Sequence, residues 1–84
     1  MIPPPNWTPQ ARADLRRLDR RQAHRILVTL ASYLATGAGD TESLHGALEG
    51  QVRLRVGDWR VIFCPRPDCR IDVLRVVHRS EAYR

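Results

Sequence analysis

The segment RLRVGDWRVIF, Arg53 to Phe63, places three arginines, Arg53, Arg55 and Arg60, within eight residues. A guanidinium presents its donors in a planar fork that matches phosphate oxygens, and it stays charged at any physiological pH. Arginines that converge on one surface are therefore suited to clamp a phosphate and to offset charge developing on it. They are poor bases, because the neutral form is vanishingly rare near neutrality. Whether the three converge depends on the elements that carry them. Val52, Leu54 and Val56 alternate with Arg53 and Arg55, the period of a strand with one face in a core. Gly57-Asp58 reads as a two-residue hairpin turn of the glycine-first type, and Trp59 to Cys64 as the returning strand. Arg53 and Arg55 then leave from the polar face, and the neighbouring strand can bring Arg60 to the same side.

The rest of the composition fits a small basic domain. The chain has 84 residues, 43% of them hydrophobic and 27% charged, with a formal net charge of +5. All fourteen basic residues are arginine. A single domain spanning 1–84 is expected, burying roughly 60% of the surface its unfolded form exposes. An excess of positive charge this large points to a nucleic-acid partner wherever it gathers on one face. No apolar run reaches the ~18 residues of a membrane span, and the N-terminus lacks the order of a secretory signal. A cytoplasmic protein with no membrane partner is expected. Cys64 and Cys69 flank PRPD and could meet across a hairpin mouth. A disulfide and two free thiols are both open there, with thiols favoured in a reducing compartment. The three histidines have no matched carboxylates, so no metal site is expected, and no motif calls for a small-molecule cofactor.

Upstream, MIPPPNWTPQ cannot be helical before Thr8, because its prolines remove donors and fix φ. It reads as an extended arm with room for one short edge strand near Trp7. Thr8-Pro9 is a helix start, and Ala11, Leu15 and Leu18 make an apolar stripe between Arg12, Asp14, Arg16 and Arg17. Asp19 can cap a second helix, whose stripe is Ala23, Ile26, Leu27, Leu30, Ala31 and Leu34. TGAGDTES stops it and reads as a polar loop. A third strand follows PRPD from Ile71 to Val77, and HRSEAYR is a short tail. The expected architecture is α+β: an arm or short strand, a two-helix hairpin, then a three-stranded antiparallel meander with the helices on one face.

In this order and spacing, SLHGALEGQVRLRVGDWRVIF and IDVLRVVHRSEAYR resemble the RelE/ParE superfamily of bacterial type II toxins. The resemblance runs from about Ala11 to Arg84, and the closing VVHRSEAYR is more similar to the RelE branch than to ParE. It implies a RelE-like fold and a ribosome-dependent endonuclease that cuts messenger RNA without metal, using the RNA 2′-hydroxyl as nucleophile. It also implies a cognate antitoxin, together with the ribosome and mRNA as partners. Carried onto this chain, the family's basic positions fall on Arg53, Arg55, Arg60 and, at the end of the last strand, His78 or Arg79, and its tail aromatic on Tyr83. The chain departs from RelE in having no lysine, with Gln51 at one such place, so the general base is not identified.

The implied reaction needs a base for the 2′-proton, cations for the phosphorane-like transition state, and an acid for the departing 5′-oxygen. Arginine supplies the second. His78, ending the third strand, is the candidate for one proton transfer, because histidine's ordinary pKa lies near neutrality. Tyr83 could stack on a splayed base or pack the tail onto the sheet. Trp59 and Phe63 share strand parity and are expected in the core. Arg20 and Arg21, with the other helical arginines, could grip RNA phosphates or simply form a solvated face. His24 and His45 read as surface residues. Two rival functions remain open: a ParE-like inhibitor of DNA gyrase with no nuclease activity, and a catalytically silent basic RNA-binding module.

Overall fold

A computed structural model describes residues 4–68 and 70–81. The chain runs β1 (Asn6–Trp7), α1 (Pro9–Arg17), α2 (Arg20–Thr36), β2 (Thr41–Ser43), a single 3-10 turn (Gly46–Leu48), β3 (Val52–Val56), β4 (Trp59–Pro65) and β5 (Ile71–His78). The α+β class expected from the sequence forms. The sheet is wider than the meander, with five strands in the order β1-β5-β4-β3-β2. β1 lies parallel to β5 through Asn6 and Trp7, and β2 lies antiparallel to β3 through Thr41 to Ser43. The stretch read as a polar loop after α2 therefore contributes an edge strand.

Both helix starts behave as their sequences require. The Thr8 hydroxyl accepts from the Ala11 amide at 3.2 Å with Pro9 at the first helical position, and Asp19 accepts from the Gln22 amide at 2.9 Å. Such caps satisfy amides that have no partner within the helix. α2 ends at Gly37, whose φ of 75° is left-handed and whose amide donates to the Tyr33 carbonyl. The helices cover one face of the sheet. Ile26 and Leu30 of α2 join Leu54, Val61, Phe63 and Val73 as the largest fully buried side chains. Each contributes about 1.5–3 kcal/mol by leaving water.

Two departures from the expected pattern matter for the site. Asp14, expected on the charged side of α1, is only 7% exposed. It accepts from Arg75 Nε at 2.7 Å, Arg75 Nη2 at 3.1 Å and the Val76 amide at 2.9 Å. β1 is too short to pair with this end of β5, so α1 closes the exposed strand edge with a side chain. Burial works to raise the Asp14 pKa, but the hydrogen bonds from Arg75 and Val76 and the positive charge of Arg75 and Arg17 hold it below the ordinary value.

The second departure is a bulge in β5. Phe63 pairs with Val73 while Ile62 pairs with Arg75, so Leu74 falls between consecutive pairs. An extra residue reverses the face of everything beyond it. Ile71 and Val73 face the helices before the bulge; Val76 and His78 do so after it, opposite Val61 and Trp59.

Candidate functional site

The register settles which arginines share a face. Arg55 pairs with Arg60 and Arg53 with Ile62, whereas the core residues Leu54 and Val61 pair with each other one step away. Arg53, Arg55 and Arg60 therefore stand together on the face the helices leave uncovered. With Asp40 and Glu42 they line a recess of about 120 Å³.

The acidic members come from β2 and its approach. Glu42 is the direct cross-strand partner of Arg53, and the two side chains form an ion pair. Asp40 gives its carbonyl to the Arg55 amide at 2.9 Å and holds a carboxylate oxygen 3.9 Å from Arg55 Nη1. Sequence reasoning missed both carboxylates because it read this stretch as loop. A signal was present: Asp40 and Glu42 are two apart, the same spacing as Arg53 and Arg55. Opposite charges at matched spacing favour cross-strand pairing.

Arg60 differs from its neighbours. It is 6% exposed, yet no carboxylate among the described residues pairs with it. Its Nη1 donates to the carbonyls of Gly57 and Trp59 at 2.9 Å each. No hydrogen bond from its Nε or Nη2 forms with the described residues, and neither nitrogen is sealed from solvent. A guanidinium removed from water without a counter-charge is destabilising on its own. Open donors at the edge of a recess are the geometry that accepts a phosphate.

The other expected site residues divide by face. His78 does not join the arginines, which corrects the expectation drawn from its place at the strand end. It stands opposite Trp59 on the helix side, with ring centroids 5.4 Å apart and near-perpendicular rings, and its Nδ1 lies 3.0 Å from Ser80 Oγ. The physical reason is the bulge at Leu74: unbroken alternation from Ile71 would have carried His78 to the Arg60 face. Arg79 is the first residue beyond β5. Its amide donates to the Asp58 carbonyl at 2.8 Å, extending the ladder by one, and its Nε lies 3.8 Å from Asp58 Oδ1 at the hairpin tip. Arg20 and Arg21 are exposed at the start of α2 beside His24, in the helical layer and away from the recess. Tyr83 and the Cys69 half of the disulfide question lie outside the described residues; Cys64 carries a free thiol. Trp59 and Phe63 pack in or against the core as expected.

The family model for the ParE toxin of type II toxin-antitoxin systems, parDE, matches residues 6–83. Among solved structures, the RelE-RelB complex of Pyrococcus horikoshii is similar with a TM-score of 0.77 at 24% identity, covering 98% of this chain and 100% of that one. The RelBE2 toxin-antitoxin complex of Mycobacterium tuberculosis has a TM-score of 0.71 at 26% identity, covering 88% and 94%. The YoeB-YefM complex of Staphylococcus aureus has a TM-score of 0.75 at 22% identity, covering 89% and 94%. No curated protein sequence is significantly similar to this chain.

Proposed function

Because the chain belongs to the ParE toxin family of type II toxin-antitoxin systems, within the RelE/ParE superfamily, we propose that this toxin acts as a ribosome-dependent endonuclease on mRNA. The observation that carries the reading is Arg60: a buried cation with no carboxylate partner among the described residues, holding open donors at a recess shared with Arg53 and Arg55. The scissile phosphate binds there. Arg60 and Arg55 contact its non-bridging oxygens and offset the charge that grows on them as the 2′-oxygen attacks.

The missing base is Glu42. Its carboxylate lines the same recess and is held by Arg53, so it can take the 2′-proton as the new O–P bond forms. The P–O5′ bond breaks and the departing 5′-oxygen takes its proton from water, leaving a 2′,3′-cyclic phosphate and a 5′-hydroxyl. Arg79 adds charge at the tip, and Tyr83 of the tail is the candidate for stacking on a displaced base. His78 has no part in proton transfer. The reaction uses no metal or other cofactor, and its setting is the cytoplasm, where the ribosome is. No helix among the described residues is long and apolar enough to cross a membrane.

The cognate antitoxin is the second partner. Trp7, Leu27, Leu30 and Leu34 line an apolar trough of about 360 Å³ beside α2, and Leu27 is 43% exposed. The adjoining depression shares Trp7 and Leu27 and is bordered by Arg12 and Arg16, neither paired with a carboxylate among the described residues. Apolar floor and basic rim suit an acidic amphipathic segment of the antitoxin.

One observation favours a second reading: the matching family model is that of ParE, which supports gyrase inhibition without cleavage. The two separate in one experiment. Purified toxin is added to programmed ribosomes with mRNA ends mapped by primer extension, and to gyrase in a supercoiling assay. Cuts at the decoding site with supercoiling intact support the nuclease; lost supercoiling with uncut mRNA overturns it.

A further inference from the structure

A second guanidinium stands at the hairpin tip. Arg25, in the second turn of α2, lies against Gly57: a methyl group placed there would be 2.7 Å from Arg25 Nη1 and 3.1 Å from its Cζ. Arg60 Nη1 meanwhile donates to the carbonyl of the same Gly57. Glycine is required at 57 twice over, for its φ of 61° and for this close approach. One residue of backbone thus separates two cations, one from the helical layer and one from the uncovered face of the sheet.

Their charge balance is unusual. Arg53, Arg55, Arg66, Arg70, Arg75 and Arg79 all have a carboxylate within ion-pairing distance. Arg25 and Arg60 have none among the described residues, so like charges face each other across the turn without compensation. Such a pair repels itself in the free protein and gains most from an added anion. Arg21 stands one turn before Arg25 on the same helix face, also exposed and without a carboxylate among the described residues. Basic groups therefore run from the recess, around the hairpin tip, to the start of α2. A compact anion would engage only the Arg60 end. A nucleic-acid strand, with one phosphate per nucleotide, can engage the row.

We propose that Arg25 binds a second phosphate of the RNA strand whose scissile phosphate sits at Arg60, extending the track around the hairpin tip onto α2. This rests on the reading of RNA as the ligand, and the test separates the two. Fluorescence anisotropy is measured with uncleavable 2′-deoxy strands of about three and about twelve nucleotides, bracketing the span of single-strand grooves. Arg25→Ala weakens the long strand about three- to fivefold, the scale of one exposed charge contact. It also lowers the salt slope of the long strand by about 0.7, one released counterion on single-stranded nucleic acid. The short strand is unaffected, and Arg25→Lys, which keeps the charge, retains the slope. Arg60→Gln weakens both lengths. Wild-type affinity and slope for the long strand in Arg25→Ala, with Arg60→Gln still impaired, overturn the extended track and leave the nuclease reading standing. Equal weakening of both lengths by Arg25→Ala also overturns it. Failure of the wild type to bind either strand removes both.

Discussion

Replacing Glu42 with glutamine should move binding and cleavage in opposite directions. Three guanidiniums and two carboxylates line the recess, so it carries one positive charge in excess. Glu42→Gln doubles that excess while keeping an acceptor oxygen for Arg53. In the wild type an incoming phosphate competes with Glu42 for Arg53, and the Glu42 side chain is 67% exposed. Arg53 beneath it is 12% exposed, but the carboxylate side of the pair is open to water and screened. The pair therefore contributes about 0.2–1 kcal/mol, and its removal should tighten RNA binding by about 1.4- to fivefold. Loss of a general base lowers the chemical step by about 10²–10⁴-fold. The cleavage effect dominates at any substrate concentration. Single-turnover cleavage on programmed ribosomes reads the chemical step, and anisotropy with an uncleavable strand reads the affinity. Cleavage within about threefold of wild type would be too small a loss for a base and would refute the assignment. Weaker binding would refute the view that Glu42 competes with the ligand.

The remaining expectations concern the clasp, the histidine and the trough. Asp14→Asn should destabilise the fold by about 2–3 kcal/mol, the scale for losing hydrogen bonds to a charged group, and thermal melts read this directly. Because the Asp14 pKa is lowered on folding, its contribution is present above the ordinary value of 3.8 and is lost as pH falls through the lower folded value. Melts of Asp14→Asn should therefore depend less on pH in that acid range than the wild type. His78→Ala should leave single-turnover cleavage within about threefold, since a proton-transfer group is worth about 10²–10⁴; a larger loss at unchanged stability would return His78 to the reaction. Leu27→Asp should abolish co-purification with the antitoxin and leave cleavage unchanged, and retained co-purification would move the antitoxin off the trough.

Legibility in the sequence followed the strength of local signals. Thr8-Pro9, Asp19 and Gly57 each carry a backbone requirement in one or two residues, and each element starts or turns where they stand. The period-two alternation around Arg53 and Arg55 placed those two on one face, and the pairing of Arg55 with Arg60 across the turn adds the third. Asp14 was misplaced because its charge outweighed its position, although it lies three residues after Ala11 and four before Leu18, on the apolar side of α1. β2 is only three residues long and fully exposed, so it has no apolar periodicity to announce it; pairing with β3 makes it a strand. The bulge at Leu74 left no trace in IDVLRVVH, where every residue from Val73 to Val77 but Arg75 is apolar and either register looks sound. For that reason the sequence put Arg60 on the face where it stands and His78 on the face opposite its own.

Primer extension across mRNA on programmed ribosomes, comparing the wild type with Arg60→Gln at matched fold stability, tests the phosphate site most directly. Wild-type protein should leave 5′-hydroxyl ends within the decoding site, and the variant should lose about 10²–10³-fold in rate, the scale of one transition-state donor. Equal cutting by both proteins, or intact mRNA with both, would contradict it.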